Sequence, residues 1–288
     1  MDEHWALRVP WERKKTAENT EKLLSREWLV TNGLGGYASG TVGGAVTRRY
    51  HGLLIAALPA PLGRQMMLNH LTEWLRLPDG TVVHFGGEER VGAEPALHGG
   101  EHLAEFRLEA GLPVWRYEFG DIAFEKSIVL PHMQNTAHLT YRLVAGEGKV
   151  RIKLRPAIHF RSHDAPVSAG HPFPYRVGAI DGRYEVTASG DLPPLRMHLY
   201  GQWPAFTLDA RSLDNVLYRV EESRGYEFHG ELWSPGYFRA DLTRDSEVTL
   251  VVSTESWETI LALKPDEALA AEQERRRRLI EVAPPEAR

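Results

Sequence analysis

The sequence predicts an all-β domain, a sandwich or barrel, followed by a single convincing helix at its C-terminal end. Three observations predict it. Residues 115–119, 150–155 and 195–200 alternate apolar and polar side chains with a period of two. That period marks half-buried strands of antiparallel sheets. Short Gly-containing turns separate such runs, and no helical pattern alternates with them, which argues against a layered α/β fold.

Taken in chain order, residues 2–21 are polar and mixed, with helical character from Ala17 to Leu24. Residues 53–58 are wholly apolar and read as a buried strand. Pro78-Asp79-Gly80 separates a run at 74–77 from one at 81–85. Gly146-Glu147-Gly148 separates 139–145 from 150–154, and Asp181-Gly182 separates 177–180 from 183–187. Each reads as a hairpin connection, because Gly and Asp-Gly supply the positive φ that such turns need. Residues 162–175 are loop-like, with three prolines and two histidines. Trp233-Ser-Pro-Gly-Tyr237 reads as a tight turn flanked by aromatics. From Pro265, acids in the first turn and the bases Arg275 to Arg278 near the end follow the order that suits a helix dipole. The organisation is a β-rich domain, 1–262, and a helical segment, 263–288, that leads out of it.

The bulk numbers exclude several classes. A formal net charge of −5 disfavours a general nucleic-acid binder. The absence of cysteine excludes disulfide scaffolds, thiolate zinc sites and cysteine nucleophiles. Met-Asp-Glu-His-Trp has neither the basic nor the apolar region of a signal peptide, and no apolar run is long enough to span a membrane. The expectation is a cytoplasmic protein with no membrane partner.

Chemistry concentrates near the start. Glu27-Trp-Leu-Val-Thr-Asn-Gly-Leu-Gly-Gly-Tyr-Ala-Ser-Gly-Thr41 runs on to Thr47-Arg-Arg-Tyr-His-Gly-Leu-Leu-Ile-Ala56, with no acid between Trp28 and Thr72. Gly33-Leu-Gly35-Gly-Tyr-Ala38 matches a dinucleotide pattern in form only. Neither the helix nor the acid about 20 residues on is present, and Gly-Lys-Ser/Thr is absent as well. If 47–51 is extended, Arg48 and Tyr50 share one face and Arg49 and His51 the other. Asn32, Arg49 and His51 would then hydrogen-bond ligand hydroxyls while Tyr37 or Tyr50 stacks on a ring. The alternative is that the arginines pair with acids elsewhere. In a second constellation, 218–238, Glu221, Arg224 and Glu231 are expected to form an ion-pair network that fixes a loop, with Trp233 beside it. His159, His163, His171 and Asp164 match no standard metal spacing. The sequence calls for no metal and no cofactor.

The two constellations together resemble the N-terminal domain of bacterial and archaeal-type glycogen debranching enzymes. The resemblance rests on 27–41 and 47–56, with Tyr218, Glu221, Arg224-Gly225, Leu232 and Pro235-Gly236 as the second motif, and covers about 28–249. It implies a large antiparallel β-sandwich of the kind found ahead of glucoamylase-like catalytic (α/α)₆ barrels, with 263–288 as the linker toward that barrel. It also implies that the glucosidase acid and base sit on the barrel. The amylo-α-1,6-glucosidase activity, with or without 4-α-glucanotransferase, would belong to the complete enzyme. The partners implied are α-glucan (glycogen or maltooligosaccharide) and the catalytic domain. No catalytic residue is assigned to this chain. Asn32, Tyr37, Arg48, Arg49, Tyr50 and His51, with Glu221, Arg224, Glu231 and Trp233, are the candidates for glucan contact or the domain interface. Two rivals remain. One is a mutarotase-like epimerase pairing His51 or His198 with Glu221 or Glu231. The other is a stand-alone glucan-binding module.

Overall fold

The computed structural model describes residues 6–284 except 12, 14, 15, 173 and 189. The first residues of the polar N-terminal stretch and the last four of the linker segment lie outside the described residues. Two antiparallel sheets dominate. The first runs, in hydrogen-bonded order, β1 (Ala6–Pro10), β8 (Leu103–Glu109), β9 (Leu112–Phe119), β10 (Ile122–Val129), β11 (Thr136–Ala145), β18 (Glu247–Ser253), β15 (Leu195–Tyr200), β14 (Arg183–Thr187) and β13 (Arg176–Ile180). The second runs β16 (Gln202–Leu217), β17 (His229–Leu242), β12 (Val150–Ser162), β5 (Arg64–Arg76), β4 (Gly52–Ala57), β3 (Tyr37–Thr41) and β2 (Glu27–Thr31). β6 (Val82–Glu88) pairs with β5, and β7 (Ala96–His98) with β6. The protein is an all-β sandwich.

The core lies between the sheets, where the inward half of each alternating strand meets its counterpart. Ile152, Leu154, Leu75, Phe238 and Ala240 of the second sheet join one buried cluster with Leu139, Leu250 and Phe124 of the first. A buried ion pair also bridges the layers. Lys126 Nζ on β10 lies 2.7 Å from Glu73 on β5, and the Tyr141 hydroxyl of β11 donates to the same carboxylate. Burial of that charge is tolerable only because both neighbours satisfy it.

Three local expectations change. Asp181-Gly182 does close a hairpin, with φ of 49° and 73°. Gly146-Glu147-Gly148 does not: β11 and β12 belong to different sheets, so these glycines carry the chain across the sandwich. Trp233 to Tyr237 is no turn but the middle of β17, where a register shift against β12, between Trp233 and Phe238, takes up the extra residue. Two short helices were not legible: α2 (Arg219–Ser223) and α3 (Trp257–Leu261), each one turn long. The other two are α1 (Ala17–Ser25) and α4 (Pro265–Glu281).

α4 lies against the first sheet. Its Glu267 carboxylate caps the backbone N–H of Lys264 at 2.8 Å. Leu269 packs on the core, and Arg276 donates to the Ala110 carbonyl at 3.1 Å in the β8–β9 turn. The four arginines are not a bare basic face. Arg275 and Arg276 grip buried Glu272, and Arg277 and Arg278 hold Glu274.

Candidate functional site

The signature stretch builds one edge of the second sheet. β2 alternates strictly, with Glu27, Leu29 and Thr31 exposed and Trp28 and Val30 buried. Its exposed row faces that of β3 through the pairs Leu29–Ser39 and Thr31–Tyr37. The glycines between them form the hairpin loop. Gly33 and Gly35 sit at φ 83° and 96°, and a Cβ on Gly36 would lie 2.6 Å from the Asn32 amide nitrogen. The loop is therefore a backbone requirement of the turn rather than an anion cradle.

Residues 47–51 are a turn, not an extended segment, because the His51 amide bonds back to the Arg48 carbonyl at 3.0 Å. The expected sharing of faces therefore fails. Arg48 and His51 meet on one side, both at Glu27: Arg48 Nε is 2.6 Å and His51 Nε2 3.4 Å from its Oε1. The Thr47 amide donates to His51 Nδ1 at 3.1 Å, which leaves the ring proton on Nε2, facing that carboxylate. The His51 hydrogen bond, with that of Arg48, outweighs burial and holds the Glu27 carboxyl down at about 2.

Arg49 turns the other way. Its Nε donates to Glu221 at 2.8 Å, its backbone N–H to the same carboxylate at 3.1 Å, and its Nη1 to the Asp164 carbonyl at 3.2 Å. Glu221 is fully buried on α2. Buried Arg161 completes this support, donating to the carbonyls of Arg49, Ser162, His163 and Ala165. The reading in which an arginine pairs with a distant acid is thus met at Arg49.

Above this support lies an open depression of about 480 Å³. Tyr37, Tyr50, Arg48 and His51 line it, together with Glu27, Leu29 and Arg64. Leu29 is 58% and Tyr50 38% exposed. Arg64 is anchored by its Nε on the Gly35 carbonyl at 2.7 Å. Burial pushes the Tyr37 hydroxyl up to about 12, so it stays a neutral donor and acceptor. The depression thus combines ring faces, an apolar side chain, guanidinium N–H groups and the Glu27 carboxylate, donors and acceptors that suit a polyhydroxylated ligand.

A family model described as glycogen debranching enzyme N terminal matches residues 26–249. The chain belongs to this family. Among solved structures it is similar to a protein described as a kojibiose phosphorylase from the human microbiome, at 8% identity and a TM-score of 0.43, covering 98% of this chain and 36% of that one. It is also similar to a bacterial glucoamylase complexed with acarbose, at 12% identity and a TM-score of 0.37, covering 92% and 35%. The chain thus spans about a third of either. Comparison with curated proteins returned no match.

Within the family domain the remaining candidates scatter. Asn32 is buried, its amide donating to the Gln134 carbonyl at 2.9 Å and to Asn135 Oδ1 at 3.1 Å while its oxygen accepts from Leu34 N–H. It fixes the hairpin and does not line the depression. The expected Glu221–Arg224–Glu231 network is not formed: Glu221 pairs with Arg49, and Arg224 and Glu231 are exposed with no ion pair among the described residues. Trp233 packs on Tyr175, ring centroids 4.9 Å apart, well away from Tyr50 in the sheet order. His159 and His171 lie 4.6 Å apart by ring centroid, yet among the described residues no three His, Cys, Asp or Glu could hold a metal ion. No helix of the described residues is long and apolar enough to cross a membrane. The residues missed include Leu29 and Arg64, and with them the carboxylate Glu27. The alternation of 27–31 could have exposed the first; only strand pairing brings the second.

Proposed function

We propose that this chain is the N-terminal β-sandwich of a glycogen-debranching enzyme, that it packs against a catalytic domain, and that the depression over β2 and β3 forms part of the α-glucan cleft. The observation that carries the reading is the signature stretch itself. In this family member, 27–51 spends its buried residues on the hairpin and leaves Tyr37, Tyr50 and Arg48, with Arg64 from β5, around open space. A glucose ring stacks on a tyrosine face while the guanidinium groups donate to its hydroxyls.

Non-catalytic action is the better reading of the depression. A glycosidase acid needs a carboxyl with a raised pKa and a second carboxylate across the cleft. Glu27 is held low and already bonded to Arg48 and His51. The epimerase pairing finds little support, since His51 engages Glu27, Glu221 engages Arg49, and His198 and Glu231 lie in different sheets.

Titration of maltooligosaccharide into the enzyme that contains this chain tests the proposal. Tyr50→Ala and Arg48→Ala should each weaken binding or raise KM by roughly tenfold, the scale of one lost stacking or charge-assisted contact. Unchanged affinity and turnover in both variants would sink it. Catalysis of anomer exchange by the purified chain, read by NMR, would favour the epimerase instead.

A further inference from the structure

A second open face lies on the same sheet, across β5, β12, β17 and β16, and the first signature stretch, 27–56, does not reach it. The alternation of 150–155 turns Ile152 and Leu154 into the core and Arg151 and Lys153 outward. Strand pairing then sets like charges side by side. Arg151 is directly opposite Arg76 on β5, and Lys153 directly opposite Arg239 on β17. Directly opposed like charges destabilise a sheet, so the free fold carries this arrangement at a cost.

Acids answer only part of the charge. Asp241 takes Arg151 at 2.9 Å, and Asp209 takes Arg155 at 2.6 Å and Arg211 at 2.9 Å. Arg76, Lys153 and Arg239 are exposed and make no ion pair among the described residues. Lys153 and Arg155 lie over the Tyr237 ring, 5.0 and 5.4 Å from its centroid, which holds both cations on this face. Trp74, half-buried and directly opposite Lys153, lines the same cavity. Together these residues line a cavity of about 700 Å³, with six basic side chains and one acid. The whole chain carries a net charge of −5, so the patch is a local exception.

We propose that this face binds a phosphorylated sugar, with the sugar ring on Trp74 and the phosphate between Arg76, Lys153 and Arg239. Three cations without ion pairs in one cavity match a dianionic phosphate, and an indole in the same lining matches a sugar ring. The cavity has the size of a small-ligand site. Its charge is confined to one end of the sheet and does not extend as the long stripe that a nucleic-acid strand requires. The proposal uses residues distinct from those over β2 and β3, so it stands or falls separately from the glucan cleft.

Calorimetric titration of the chain with glucose 6-phosphate, inorganic phosphate and neutral maltotetraose tests it. Saturable binding of glucose 6-phosphate that weakens with added salt is expected. Lys153→Ala combined with Arg239→Ala should reduce that affinity at least tenfold. Trp74→Ala should reduce it several-fold while leaving inorganic phosphate binding unchanged. The double variant should unfold at or above the temperature of the parent, since a like-charge pair has gone; should it fail to fold, Arg76→Gln alone serves the same comparison. No saturable binding of glucose 6-phosphate overturns the proposal. So does equal affinity for inorganic phosphate, or an unchanged affinity in the charge variants. Displacement of the sugar phosphate by micromolar polyglutamate would also overturn it, in favour of an acidic protein partner.

Discussion

At the scale of single residues, neighbours in sequence do different work. Arg48 and Arg49 are adjacent, yet one faces the depression with Glu27 and the other reaches Glu221, 172 positions away. The turn at 48–51 separates them. Because Glu221 is buried, removing its partner leaves an unpaired buried charge. Arg49→Ala should therefore cost about 3 kcal/mol in equilibrium denaturation. Truncation at Arg48, whose acid is partly solvated, should cost well under about 1 kcal/mol. Equal losses in the two variants would show that Glu221 is not the buried anchor described. The contrast also explains why Arg48 and Tyr50, rather than Arg49, are the informative positions for glucan binding.

At the scale of elements, the strands of the second sheet are shaped as much by their irregularities as by their alternation. Ser-Pro-Gly in β17 looks like turn chemistry, but pairing of Ser234 and Gly236 with β16 keeps the strand extended, and the skipped register against β12 makes the motif a bulge. Gly236 sits there at φ 150°, where a Cβ would come 2.0 Å from the Thr207 carbonyl oxygen of β16. Backbone cannot yield as a side chain can. Gly236→Ala should destabilise the domain by about 3 kcal/mol, with loss of the β16 edge visible as faster amide exchange. Little change in either would mean that β16 is not held by this close approach. The Asn32 to Gly36 hairpin shows the opposite case, where turn residues do form a turn.

At the scale of the whole molecule, two wide sheets bury enough apolar surface to carry several polar groups inside. His138 on β11 and His159 on β12 are both buried. Burial lowers their pKa to about 4 and about 3, from an ordinary value of 6.5. The unfolded chain then binds more protons than the folded one between those limits. The contribution of these two histidines is fully present above pH 6.5 and is lost as pH falls through 6.5 toward 4 for His138 and 3 for His159. Thermal unfolding should move to lower temperature between pH 7 and pH 5, and His138→Gln should flatten that slope. The depressed Glu27 contributes only lower down, between about pH 4.5 and 2, so the two effects separate. An unchanged slope in His138→Gln would remove that histidine from the account.

The sequence by itself determined the fold class, the debranching-enzyme family and the terminal helix, because these rest on local signals. A period of two states which side of a strand is buried, Asp181-Gly182 states its turn, and the acid-to-base order of 265–278 states its helix. What only the tertiary structure decided is which distant residues meet. That Glu221 belongs to Arg49 and not to Arg224, that Arg64 closes the depression, that Gly146 to Gly148 change sheets, and that Lys153 stands opposite Arg239 all depend on strand order and register. Those follow from packing two whole sheets face to face, a long-range property that no window of sequence contains.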